Sequence, residues 1–245
     1  MTHPPAAPAA TAIPATGVDA LLLDAGGVLL RPDPAALRAA LGAGGVRPDD
    51  DAFDRALYRH GPVGAGLGPG DDDDAFVLSY AVSAGVPLDR ARARLDALRQ
   101  VVLFRPWVPR DPRAVRAALT ACAARVPHVV VVTNSEGGAA AHLARAGVCQ
   151  VGPGAGVEVR LVVDSAEVGV HKPDPGIYRH AAEAVGVAPE RCLHVGDSVR
   201  NDVAAATAAG MAALHFCPFG DCRDTAHGHV RSLAEVAGLL SGAPA

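Results

Sequence analysis

The chain has 245 residues and a formal net charge of −4, with 50% of its residues apolar and 20% charged. That apolar share can bury a core, which excludes wholesale disorder, and a pI near 6.2 leaves no basic footprint for nucleic acid. No apolar run approaches the roughly 18 residues of a membrane span, and the N-terminus lacks the basic start and apolar stretch of a secretion signal. A cytoplasmic location is therefore expected. The five cysteines, Cys122, Cys149, Cys192, Cys217 and Cys222, are odd in number and scattered, which suits free thiols better than a disulfide framework.

Residues 1–17 (MTHPPAAPAATAIPATG) are rich in Pro, Ala and Thr without apolar periodicity, and predict a disordered tail. Residues 18–23 (VDALLL) form a short apolar run stopped by Asp24 and the pair Gly26-Gly27, which predicts a buried strand ending in a tight turn. From 32 to 106 the chain carries helical patterning (34–41, 51–59, 74–84, 88–102) and no good strand. Its middle, 60–74 (HGPVGAGLGPGDDDD), is a glycine-rich loop running into four aspartates, and 105–109 (RPWVP) reads as the returning hinge.

Beyond the hinge, apolar runs at 128–132, 160–163, 192–195 and 211–216 alternate with Ala-rich helical stretches at 112–125, 137–146, 175–185 and 202–209. Continuous apolar strands alternating with helices predict a doubly wound α/β, Rossmann-like parallel sheet. The expected layout is a core of 18–31 with 107–245 and a helical insertion over 32–106. Ligands in such sheets bind beyond the carboxyl ends of the strands.

Four groups fall at those ends. Asp24 follows the first strand, and Thr133-Asn134-Ser135 follow the run HVVVV. Lys172 lies in VGVHKPDPGIY just before a helix, and Gly196-Asp197-Ser198 follow CLHV and lead to Asn201-Asp202. Carboxylates, a hydroxyl and an ammonium on one rim point to phosphate and Mg²⁺ chemistry. Hard Mg²⁺ takes one or two carboxylates plus phosphate oxygens, and a carboxylate can act as a covalent nucleophile.

At these residues the sequence resembles the haloacid dehalogenase-like hydrolase superfamily. LLLDAGGVLL is similar to its first motif, VVVVTNS to its second, VGVHKPDPGIY to its third and HVGDSVRNDVAAATAAG to its fourth. The insertion sits where the family's first subclass carries a small helical cap. The resemblance implies a small phosphorylated metabolite as substrate, Asp24 as the nucleophile forming an aspartyl-phosphate, and Thr133 and Asn134 binding phosphoryl oxygens. It implies Lys172 neutralising Asp24 and phosphate, and Mg²⁺ held by Asp24, the Gly26 carbonyl and Asp197, with Asp202 as a further ligand or holding that site from behind. The cap is expected to close over the substrate and exclude water.

One position departs from the pattern. The family's phosphatases usually carry a second aspartate, a general acid and base, where this chain has Gly26. Loss of such a group costs about 10²–10⁴-fold in rate, or roughly 3–5.5 kcal/mol of barrier. A good leaving group, a bound water, or an acid from the insertion (His60, Tyr58 or the 71–74 aspartates) are the remedies open to it.

DAGGVL also resembles the first motif of metal-independent 2-haloacid dehalogenases. Those keep no acidic pair in the fourth motif, whereas Asp197 and Asp202 would sit beside Asp24 as like charges in need of a cation. A catalytically degenerate binding protein is the third reading, favoured by Gly26 and opposed by the intact Asp24, Lys172 and Asp197.

Plainer roles exist for several groups. Asp24 could be a turn-former, Lys172 a surface lysine, and Thr133-Asn134-Ser135 and Asp202 helix caps. The 71–74 aspartates read as a solvated helix start. Cys217 and Cys222 with His215, His227 and His229 imitate a zinc cluster, but the C-x4-C spacing is atypical and lacks a second pair, so no metal is expected there. His194 reads as a structural residue of the sheet. A single Trp and few aromatics give no interface signature.

Overall fold

The computed structural model describes residues 17–43, 45–59 and 73–242. All but the last residue of the 1–17 tail, and the loop from His60 through Asp72, lie outside the described residues. The chain divides into two compact units, one formed by residues up to Leu29 with Asp111 onward, the other by Leu30–Arg110.

In the first unit the strands are β1 (Ala20–Leu23), β2 (His128–Thr133), β3 (Cys149–Val151), β4 (Val157–Val159), β5 (Leu161–Asp164), β6 (Cys192–Gly196), β7 (Ala212–Phe216) and β8 (Gly228–Val230). Six form one sheet in the order β5-β2-β1-β6-β7-β8, while β3 and β4 pair separately. Every ladder is parallel. Successive residues of β1 point to opposite faces, and Ala20, Leu21, Leu22 and Leu23 are all 0% exposed, so the sheet is covered on both sides. On one face Ala20 and Leu22 join Val130, Val132 and Ala213 against Ile177, Tyr178, Ala181 and Ala206 of the covering helices. This is the Rossmann-like α/β arrangement that the alternation predicts.

Strand order places the site. From β1 the chain moves outward through β2 and β5, then crosses to β6, β7 and β8 on the other side. The reversal falls between β1 and β6, the place in such sheets where ligands bind beyond the carboxyl ends of the strands. Asp24 and Asp197 immediately follow these two strands.

Local signals set the helices. Asp111 accepts from Arg113 N and Ala114 N at 2.9 and 3.0 Å, with Pro112 beginning the helix Pro112–Ala123. The helix expected over 202–209 begins earlier and in a different form. Ser198 Oγ accepts from Asn201 N at 3.1 Å, and Val203 N reaches Ser198 O at 3.2 Å, a wide five-residue turn that leads into Ala205–Ala208. Asp202 therefore does not cap this helix. Elements outside the expected set include the short strands β3, β4 and β8 and the helix Leu233–Leu240, capped by Ser232 Oγ on Glu235 N at 3.1 Å.

The second unit is helical, with Pro34–Leu41, Asp50–Leu57, Asp73–Ser83, Leu88–Ala93 and Leu95–Arg99. The single helix expected over 88–102 is broken at Arg94 (φ −118°, ψ 12°) and ends in a wide turn, Gln100–Phe104. Leu37, Leu41, Phe53, Val77, Tyr80, Ala91 and Leu98 form its core. Its two ends are stapled together. Arg31 and Val108 exchange backbone hydrogen bonds at 2.8 Å in both directions, and Asp54, 4% exposed, receives Arg31 at 2.5 Å and Arg110 at 2.7 Å.

Asp54→Ala removes the shared counter-ion and leaves the mostly covered Arg31 with only the longer contact to Asp50 at 3.4 Å. A loss of about 2–3 kcal/mol is expected, below the fully buried limit because Arg110 keeps solvent. Urea unfolding followed by the fluorescence of Trp107, which lies in this unit and bonds Val102 O at 2.9 Å, measures it.

Candidate active site

Asp24 leaves β1 with its N–H bonded to Val195 O of β6 at 3.0 Å. Its carboxylate Oδ1 accepts from Ala25 N at 2.7 Å and Lys172 Nζ at 2.9 Å, while Oδ2 takes no such bond among the described residues. The side chain is 13% exposed, so it is held yet reachable.

Lys172 is the bridge of the site. Its Nζ also contacts Asp202 Oδ1 at 2.7 Å. A reciprocal amide pair fixes its backbone, with Lys172 N donating to Asn134 Oδ1 at 2.8 Å and Asn134 Nδ2 donating to Lys172 O at 3.0 Å. Lys172 is buried, not a surface residue. Asn134 serves this pairing rather than capping; the next helix, Ala139–Arg145, begins after Gly138 with no side-chain cap. Ser135 Oγ donates to Asp164 at 2.7 Å, and Thr133 ends β2 at the same rim, its hydroxyl donating to Asn134 O at 3.5 Å.

Asp202 is saturated within the protein. Its Oδ1 meets Lys172 Nζ, Tyr178 OH at 3.2 Å and His194 Nε2 at 3.1 Å, and its Oδ2 accepts from Ser198 N at 2.9 Å. These contacts leave it little capacity as a direct metal ligand. His194, expected as a structural residue of the sheet, and Tyr178, which the sequence reading passes over, both support the site. The signal for them is positional: His194 pairs in register with Leu22 and so shares the face on which Tyr178 packs.

Asp24, Asp197 and Asp202 each offer an oxygen within 4.8 Å of the others. Two glycines permit this crowding. A Cβ on Gly27 (φ +72°) would meet Asp197 Oδ2 at 2.2 Å, and one on Gly196 would meet Asp202 Cγ at 2.2 Å.

The charges divide unevenly. Burial pushes the Asp24 carboxyl up to about 6, Lys172 opposing and the Asp202 charge adding. Burial, then the Asp24 and Asp202 charges, hold Asp197 well above the usual carboxylate range. Asp202 is held low, because Lys172 and His194 outweigh its burial. For Lys172, burial acts downward but the two carboxylates prevail and raise it. An all-oxygen pair, Asp24 and Asp197, with its charges opposed by burial and by each other, fits a hard divalent cation. Of the acids expected from the insertion, Asp74 is engaged with Arg99 at 2.5 Å, and His60, Asp71 and Asp72 lie outside the described residues.

A parallel sheet with paired carboxylates at its switch point defines an α/β protein whose chemistry belongs to the strand ends. The pattern of the haloacid dehalogenase-like hydrolases matches residues 18–210, and the chain belongs to that family.

A phosphoserine phosphatase of Thermus thermophilus is 47% identical over 64 residues, 26% of this chain and 26% of that protein. The match thus spans about a quarter of the relative's length. Among solved structures, a phosphatase of this family from Thermococcus onnurineus aligns over 93% of this chain and 100% of its own, with TM-score 0.56 and 19% identity. A 2-haloacid dehalogenase from Pseudomonas syringae aligns over 92% and 99%, with TM-score 0.51 and 19% identity. At such identities these two likenesses show the fold. No helix among the described residues is long and apolar enough to cross a membrane.

The raised carboxyls set a pH dependence for the metal-free protein. Protonation of Asp24 and Asp197 is favoured by folding, so their contribution is fully present below the unfolded value near 3.8 and fades as pH rises, for Asp24 through about 6 and for Asp197 well above the usual carboxylate range. Asp197→Asn removes one of the opposed charges. In chelator above pH 6 its melting temperature is expected to exceed that of the wild type by a few degrees, a gap that closes toward pH 4 and that differential scanning calorimetry measures.

Proposed function

We propose that the chain is a Mg²⁺-dependent phosphatase of a small phosphorylated metabolite, with Asp24 as covalent nucleophile. The observation that carries this reading is the group at the β1/β6 switch point: Lys172 Nζ lies 2.9 Å from Asp24 and 2.7 Å from Asp202, with Asp197 in the same acidic group. The phosphatase among the sequence relatives supports the phosphoester over other hydrolysable bonds.

Asp24, Asp197 and the Gly26 carbonyl are the residues assigned to Mg²⁺. When bound, the ion supplies positive charge against the two carboxylates and the phosphoryl oxygens. Ala25 N and Lys172 hold Asp24 Oδ1, which leaves Oδ2 to attack phosphorus. The O–P bond of the aspartyl-phosphate forms as the ester P–O bond breaks, and water later cleaves the acyl-phosphate to return Asp24 and release phosphate. Lys172, the Thr133 hydroxyl and the backbone N–H of Asn134 take the phosphoryl oxygens, with the Lys172 ammonium compensating charge in the transition state. Asp202 keeps Lys172 protonated and aimed, and is itself fixed by His194, Tyr178 and Ser198 N. With Gly26 in the first motif, the leaving alcohol takes its proton from water or from outside that motif, so activated esters are the favoured substrates. The helical insertion is assigned the role of the small cap of the family's first subclass.

Hydrolysis of p-nitrophenyl phosphate and of a panel of phosphorylated metabolites tests the reading. Turnover is expected with Mg²⁺ and abolished by EDTA, and Asp24→Asn should lose at least about 10³-fold in kcat. Equal activity in the variant, or chelator-resistant halide release from 2-haloacids, overturns it.

Gly26→Asp restores an acid at the position that the family's phosphatases use. It is expected to raise kcat on unactivated alkyl phosphates by about tenfold or more, part of the 10²–10⁴-fold that a positioned acid contributes, with little gain on p-nitrophenyl phosphate.

A further inference from the structure

The sheet edge beyond the carboxylates holds a second cluster. His215 on β7 and His229 on β8 are register partners, His227 precedes β8 by one residue, and Cys222 comes from the connection between the two strands. Ring centroids lie 5.1 Å apart for His215 and His227, 5.4 Å for His215 and His229, and 4.5 Å for His227 and His229. Each of the four residues offers one nitrogen or sulfur within 4.8 Å of the others.

Their proton positions follow from their outer partners. His215 Nε2 lies 3.0 Å from Asp197 O, and a carbonyl only accepts, so Nε2 carries the proton and the neutral ring's lone pair is on Nδ1. That Nδ1 faces His227 Nε2 at 3.2 Å. His227 Nδ1 in turn lies 3.6 Å from the Asp224 carboxylate, a partner that favours a proton there and a lone pair on Nε2. Cys222 Sγ is 3.7 Å from His227 Nε2. His229 Nε2 is buried without a hydrogen-bond partner. An imidazole whose outer nitrogen donates to a carbonyl or carboxylate while the inner one faces other donors is the arrangement of a metal-bound histidine.

We infer that His215, Cys222, His227 and His229 form a zinc site, separate from the Asp24–Asp197 centre. Zn–N and Zn–S lengths of about 2.05 and 2.3 Å around a tetrahedron require N···N and N···S edges of about 3.3 and 3.6 Å. The two edges that His227 Nε2 makes, to His215 Nδ1 and Cys222 Sγ, are 3.2 and 3.7 Å, and the other edges are within 4.8 Å. Three imidazoles and a thiolate select Zn²⁺ over the oxygen-seeking Mg²⁺.

Four protein ligands close the coordination, which makes the ion structural. It ties the connection carrying Cys222 and His227 to the sheet edge and, through the His215 bond to Asp197 O, steadies the loop that presents Asp197. Cys217 is not a ligand; its sulfur accepts from Cys222 N at 3.4 Å. The effective spacing is H-x6-C-x4-H-x-H, so a search for paired cysteines misses it.

The full chain, stripped with chelator and held in excess Mg²⁺, is titrated with Zn²⁺ by calorimetry and with Co²⁺ by absorption. One Zn²⁺ per chain with submicromolar Kd is expected, and Co²⁺ should give a thiolate charge-transfer band with intense tetrahedral ligand-field bands. Cys222→Ser abolishes the charge-transfer band, and it and His229→Ala each weaken Zn²⁺ by about 100-fold or more, while Asp197→Asn leaves Zn²⁺ stoichiometry unchanged. Circular dichroism reports whether the variants fold, and the wild-type cobalt spectrum decides if they do not. Absence of Zn²⁺ uptake, a band that survives Cys222→Ser, or uptake lost in Asp197→Asn but kept in His229→Ala overturns the inference.

Discussion

Three carboxylates gathered near one ammonium at the β1/β6 strand ends are the arrangement on which the site depends. Lys172 cannot neutralise all three. It sits closest to Asp202, whose oxygens are further occupied by His194, Tyr178 and the Ser198 N–H. The remaining negative charge falls on Asp24 and Asp197, where burial and mutual repulsion oppose ionisation. Like charges at such separation are costly unless something positive lies between them. The strand order that brings them together is thus also what sets their charges against one another, and Gly27 and Gly196 leave the room for that close approach.

Much of this was legible in the sequence because its signals are local. Buried parallel strands show as continuous apolar runs, so β1, β2, β5, β6 and β7 stand out within a residue or two. Asp24 and Asp197 are then fixed at strand ends by counting. Most of what escaped lacks such a signal. The strand Gly228–Val230 has three residues and a histidine at its centre, and β3 and β4 are equally short. The helix Leu233–Leu240 did carry one, a serine followed three residues later by Glu235, the spacing of a capping box. The wide turn at Val199–Ala204 is set by Ser198, a polar residue whose cap is indistinguishable in sequence from an ordinary loop serine.

Site roles divide along the same line. That Asp24 and Lys172 share one rim was readable from motif order, whereas the support given to Asp202 by His194 and Tyr178 depends on which face of a strand each presents. The histidine cluster is the sharper case. His215, Cys222, His227 and His229 come from two neighbouring strands and their connection, and only the β7–β8 register sets His215 beside His229. Spacing rules for metal sites are built on compact hairpins and do not anticipate ligands gathered across a sheet edge.

The amide pairing of Asn134 with the Lys172 backbone has a mechanical consequence. Its two hydrogen bonds copy the way adjacent strands clasp one another, with a side chain standing in for a peptide unit. Segments 38 positions apart are thereby riveted into a single rigid part, and the ammonium arrives already aimed. The ordering is done once, as the polypeptide folds, instead of anew at every catalytic cycle.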